Sequence, residues 1–104
     1  MQIPLSDWPP GLYREIAMLD AASVIEHLGA RLTFERDHDD LDGFSAAVFT
    51  IGETLFALQL YDNIPTGNFT LIVIGNSDDD RARIDAFLHW SGIPPAAVAW
   101  RLAE

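Results

Sequence analysis

The chain has 104 residues, 49% hydrophobic and 11% aromatic, with 16 acidic against 6 basic residues and a formal net charge of −10. That describes one globular domain, 1–104, with enough apolar material for a core, too short for two domains and too hydrophobic for disorder. Its negative balance disfavours nucleic acid and anionic membrane as partners, since both need a positive field, and is compatible with a cationic ligand, a basic protein surface or simple solubility. The absence of cysteine excludes a disulfide framework and thiolate chemistry, and it leaves structural zinc without its usual ligands. No apolar run approaches the roughly 20 residues that span a bilayer. The opening MQIPLSDWPPG has neither the basic leader nor the apolar centre of a secretory signal, so a cytoplasmic protein is expected.

In chain order, residues 1–11 carry three prolines and a glycine and predict an irregular lead-in, with Trp8 tethering it to the domain. LYREIAMLDAASVIEHLGA does not hold one helical stripe: Leu12, Ile16 and Leu19 share a face, while Val24, Ile25 and Leu28 fall opposite. A strand over 12–18 followed by a helix over 20–28 resolves the conflict, with Asp20 as N-cap and Gly29 as the C′ residue. RLTFER (31–36) predicts a short strand, and ERDHDDLDG (35–43) an acidic loop.

FSAAVFTIGETLFALQLYD (44–62) predicts a hairpin closed by Gly52-Glu53 as a type II′ turn, because glycine takes positive φ cheaply. That turn sets Phe49 against Phe56 and Ala47 against Leu58 on one face. On the other it sets Phe44 against Tyr61, Ala46 against Gln59 and Val48 against Ala57. Neither face is polar enough for water along its full length, so both need cover. NIPTGN turns the chain, and NFTLIVIG (68–75) reads as a strand buried on both sides. Ser77 and Asp80 form a capping-box-like start to a helix whose buried stripe is Ile84, Phe87 and Leu88. Asp79–Arg83 and Arg81–Asp85 are spaced for i,i+4 ion pairs on its wet side. Gly92 stops the helix, and AVAWRL gives a last strand. The expected architecture is α+β: a mostly antiparallel sheet in βαβββ-βαβ order with two helices on one face. The strand–helix pairs ending HLGA (27–30) and HWSGI (89–93) echo one another.

LDAASVIEHLGARLTFERD followed by FTIGETLFALQLYD resembles the vicinal oxygen chelate superfamily of glyoxalases, ring-cleaving dioxygenases and bleomycin-resistance proteins. Its βαβββ module is used twice, with the helix entered through Asp and left through Leu-Gly, as at Asp20 and Leu28-Gly29 here. Metal-dependent members carry a His or Gln on the first strand and a Glu near the end of the last strand of the module. Tyr13 and Gln59 fall at about those positions, and the second module stops after one strand of its triplet. A metal site needs several convergent N or O donors, so the resemblance implies a truncated relative of the non-enzymatic, bleomycin-resistance type, with neither metal nor cofactor. A ferredoxin-like α+β sandwich is the alternative fold.

The candidate sites divide along the same lines. Placing Gly43 at the invariant glycine of a calcium loop puts His38 in the first ligand position and Phe49 where a bidentate Glu belongs, so 37–42 reads as a solvated acidic loop. His27 and His89 sit near helix C-termini, where the dipole favours a cation. No Ser/His/Asp constellation or phosphate-binding glycine loop is present, so no catalytic residue is assigned. The second hairpin face offers small residues flanked by aromatics, and Phe44, Gln59, Tyr61 and Trp90 are the expected ligand contacts for a small cationic or aromatic molecule. The competing expectation is an inhibitor- or immunity-type module whose acidic residues 37–42 and 78–80 cover a basic protein. A metal-assisted lyase is a third. Homodimerisation through the sheet or its edge is expected in either binding case.

Overall fold

A computed structural model describes residues 1–9, 11–40, 42–63, 67–75 and 79–102. Its strands are β1 (Gln2–Ile3), β2 (Tyr13–Asp20), β3 (Glu35–His38), β4 (Gly43–Ile51), β5 (Thr54–Tyr61), β6 (Asn68–Ile74) and β7 (Val98–Arg101), with helices α1 (Ala21–Leu28) and α2 (Asp80–Ser91). All strand pairs are antiparallel, in the order β1-β4-β5-β6-β2-β7, and β3 pairs with β4 beside β1. The α+β class and the strand–helix order read from the sequence both hold.

The hairpin forms in the expected register, with Phe49 opposite Phe56, Ala46 opposite Gln59 and Phe44 opposite Tyr61. Gly52 has φ +60°, and no described non-glycine residue has positive φ, which leaves type II′ as the turn that joins β4 to β5. β6 lies inside the sheet and its five central residues are buried. Because β2 lies between β6 and β7, the parallel pair joined by α2 is a split βαβ unit. β2 and β5 flank β6 and are parallel to one another as well. The sheet order β5-β6-β2-β7 is that of a ferredoxin-like sandwich, but the chain does not follow its connectivity, because β3 and β4 come between α1 and β5. The two echoing units are therefore neighbours, and they also meet at their helix ends. There the Arg31 guanidinium lies 4.0 Å from the centre of the Trp90 ring and donates to the Trp90 carbonyl at 2.9 Å.

Capping explains where the helices begin. The Asp20 carboxylate accepts from the Ser23 N–H at 3.1 Å, and the Asp79 carboxylate accepts from the Ala82 N–H at 3.0 Å. Asp79 is thus the N-cap of α2; Ser77 of the expected capping box lies outside the described residues. Gly92 ends α2 at φ +78° as expected. Gly29 is right-handed, and it is required for another reason: a Cβ there would stand 2.5 Å from the Ile25 carbonyl oxygen. The expected i,i+4 ion pairs are replaced by tertiary ones. Asp85 pairs with Arg101 on β7 at 3.0 Å and Asp80 with Arg14 on β2 at 2.7 Å, fastening α2 to the sheet.

The expected strand at 31–36 forms later, at Glu35–His38, for a local reason. The Gln2 side-chain amide takes both backbone groups of Thr33, donating to its carbonyl at 2.5 Å and accepting from its N–H at 2.8 Å, so Thr33 already has the partner a ladder would supply. Leu32 is buried and Phe34 packs on Phe69 at 5.1 Å, so these residues dock a loop instead of pairing a strand.

Two cores result. Between helices and sheet, Phe49 stacks on Phe56 (5.9 Å, 16°) and on Trp90 (5.3 Å, 14°), with Phe87 tilted against all three. Each such ring pair adds about 0.5–1.5 kcal/mol beyond the area it buries. On the opposite face Ala46, Val48, Ala57 and Ile72 are buried under Leu5, with Ile3, Trp8, Leu55, Tyr61 and Ile74 around them. The lead-in is therefore more ordered than its prolines predict. β1 pairs with β4, a 3-10 turn covers Leu5–Asp7, and the Leu5 N–H donates to the Glu35 carboxylate at 2.7 Å.

Candidate functional site

The lead-in covers one end of the second sheet face and leaves the other end as a cleft of about 210 Å³. Trp8 follows the 3-10 turn, Tyr13 opens β2, His38 ends β3 and Asp39 follows it, Phe44 is on β4, and Gln59 and Tyr61 are on β5. Strand alternation carries Phe44, Gln59 and Tyr61 to one side, because Phe44 is opposite Tyr61 and Gln59 is two residues before it. Ala46 and Ala57, next along the same face, are fully buried beneath the lead-in and do not line the cleft.

The aromatic walls meet at steep angles. Trp8 and Tyr13 are edge-to-face at 6.3 Å and 76°, and Phe44 and Tyr61 at 5.6 Å and 70°. The Tyr61 hydroxyl donates to the Asp39 carboxylate at 2.6 Å. This bond, reinforced by burial and by the charge of Asp39, pushes the phenol up to about 12, so it stays a neutral donor well beyond physiological pH. The other Asp39 oxygen accepts from the Asp42 N–H at 3.1 Å, which fixes the carboxylate at the cleft's rim. The Gln59 amide is hydrogen-bonded to no other described side chain.

The acidic loop is more organised than a solvated run. Asp42 accepts from the N–H of Gly43 and from both the backbone and the side-chain N–H groups of Asn63, at 2.8–3.0 Å, tying the loop to the end of β5. Beside it Arg36 and Asp62 form a two-bond pair at 2.6 Å each, which raises the guanidinium and holds the carboxyl below its ordinary value. Among the described residues no group of three or more His, Asp or Glu side chains converges as a metal site would require. No helix is long and apolar enough to cross a membrane among those residues.

Of the four expected ligand contacts, Phe44, Gln59 and Tyr61 come together in this cleft. Trp90 does not: it projects from α2 into the helix-side core, stacked on Phe49 with the whole sheet between it and Gln59. Its aromatic character gave no sign of which layer it would join. Trp8, Tyr13, His38 and Asp39 are lining residues that the sequence reading did not assign to the site. The available signal was Tyr13 on a strand facing the same side as Gln59, and Trp8 in a lead-in that needed somewhere to dock. Comparison with protein-family models, with curated proteins and with solved structures finds no match for this chain.

Proposed function

We propose that the protein is a non-enzymatic binder of a small organic molecule, held in the cleft between the lead-in and the open end of the second sheet face. The observation that carries this reading is the convergence of Trp8, Tyr13, Phe44 and Tyr61 around one amide, Gln59, and one carboxylate, Asp39. Aromatic walls with a few placed polar groups are a usual form of ligand site, and this open cleft has both. At about 210 Å³ it holds a molecule smaller than a typical drug, in the space of roughly seven waters.

The acidic protein-binding reading draws less support from the geometry. Asp39 and Asp42 spend their oxygens on Tyr61, Gly43, Asn63 and the Asp42 N–H, so these two carboxylates work as a clasp for the cleft wall. The test is a fragment screen by chemical-shift mapping, repeated on Gln59→Ala and Tyr61→Ala. Fragments bound in the cleft lose affinity in both variants and keep it in Trp90→Phe. Unchanged affinity in the first two places the site elsewhere.

A further inference from the structure

We propose that the occupant of this cleft is an alkylated ammonium group, such as a trimethylammonium head, recognised by aromatic walls with a fixed counter-charge; the proposal rests on the binding reading above. Three observations converge on it.

The first is shape. Trp8 and Tyr13, at 76° to one another, and Phe44 and Tyr61, at 70°, bring four rings of differing orientation to one cleft. Rings of differing orientation around one space suit a rounded, tetrahedral cation, which can make the same cation–π contact from any side. The cleft's 210 Å³ also suits a compact head with a short tail.

The second is charge. Asp39 places a carboxylate at the rim, and the chain's net charge of −10 gives a field that concentrates cations. An alkylated ammonium has few or no N–H donors, so it gains from ring faces and a nearby charge without needing the several acceptors that a primary amine or guanidinium demands. Those acceptors are scarce here, because one Asp39 oxygen already receives the Tyr61 hydroxyl and the other the Asp42 N–H. Gln59 remains to bond a hydroxyl or carboxyl on the ligand's tail.

The third is the state of Tyr61. Its phenol is held protonated by the 2.6 Å bond to Asp39. A phenol donating strongly to a carboxylate gains electron density in its ring, which strengthens the attraction of its face for a cation.

The experiment titrates isotope-labelled protein with choline, with its neutral tert-butyl carbon isostere, with tetramethylammonium and with ammonium. It is read as shifts of the Trp8 indole N–H and the Gln59 side-chain amide. Choline binding about tenfold tighter than its isostere is expected, the ratio that a partly desolvated cation–π contact supplies. Tetramethylammonium should also outcompete ammonium. Asp39→Asn should weaken choline severalfold and leave the isostere unchanged; Tyr61→Phe, which keeps the ring, should weaken choline less than Tyr61→Leu. Equal binding of choline and isostere overturns the ammonium assignment and leaves the cleft as a neutral-ligand site. Failure of both, with other fragments still bound in the cleft, does the same. If no fragment or ammonium ion binds there, the binding reading falls with it.

Discussion

Leu5→Ala tests whether the lead-in is part of the domain's structure. Leu5 is only 8% exposed and is the residue of the 3-10 turn that covers Ala46, Val48, Ala57 and Ile72. Removing a buried leucine side chain costs about 2–5 kcal/mol, the spread depending on how well the site collapses or fills. Leu5 lies at the outer surface of its cluster, where neighbours and water can partly replace it, so the low end applies: about 2 kcal/mol. A domain of this size has on the order of 5–15 kcal/mol in total, which makes the loss a substantial share of its stability. With a urea slope of about 2 kcal/mol per molar, the unfolding midpoint falls by about 1 M. Tryptophan fluorescence during urea unfolding gives the midpoint directly, and an unchanged slope shows that only stability moved. Trp8 follows directly on the 3-10 turn that the Leu5 side chain anchors, its backbone N–H donating to the Leu5 carbonyl at 3.0 Å, so loosening that anchor should also weaken any ligand in the cleft. A stability change below about 0.5 kcal/mol, the range of ordinary surface substitutions, would refute the claim that this segment is a packed cover.

Other consequences are as specific. Alkaline titration of the phenolic absorbance should show Tyr61 ionising at about 12, and Asp39→Asn should bring it down. Because the folded value is raised, the stabilisation is fully present below the ordinary phenol value of about 10 and is lost as pH rises through about 12. Stability near neutrality is therefore flat with respect to this group, and a Tyr61-dependent loss near pH 7, absent in Tyr61→Phe, would contradict the assignment. Gly52→Ala should cost about 1–2 kcal/mol in thermal or urea unfolding through backbone strain alone, since φ is +60° and nothing stands within 4 Å of a new Cβ. A neutral result would mean that the turn is not type II′. Asp42→Ala removes three accepted hydrogen bonds at an exposed loop and should cost about 1 kcal/mol. Faster hydrogen exchange at the Asn63 amide is its local signature, and unchanged exchange there would show that the clasp does not form in solution.

The hairpin was legible residue by residue because two constraints coincide: a two-residue glycine turn sets the register, and alternation then assigns every side chain to a face. The change of helical stripe at Leu19–Val24 was equally informative, since a strand and a helix bury different periodicities, and β2 and α1 follow from it. What depended on distant partners was not legible. Gln2 supplies the bonds that displace β3 toward Glu35, and nothing local to 31–36 announces a glutamine thirty residues away. Asp85 finds Arg101 across a strand instead of Arg81 one turn earlier, because a neighbouring element fixes that guanidinium where an exposed helical pair must order two free side chains. Trp90 illustrates the same limit at the site: an aromatic residue late in a helix can serve either layer, and only the packed position of Phe49 decides. Three of the seven lining residues came from one hairpin and were readable; Trp8, Tyr13, His38 and Asp39 depended on where the lead-in, β2 and the end of β3 come together.

The three tryptophans make the central claim directly measurable, because Trp8 lines the cleft, Trp90 lies in the helix-side core and Trp100 sits on the edge strand β7. The measurement is the set of three indole N–H resonances during titration with choline. Saturable movement of the Trp8 resonance, with the Gln59 side-chain amide, while those of Trp90 and Trp100 stay in place, is the result expected of a ligand seated in the cleft. Movement centred on Trp90 or Trp100, with Trp8 unchanged, would contradict it.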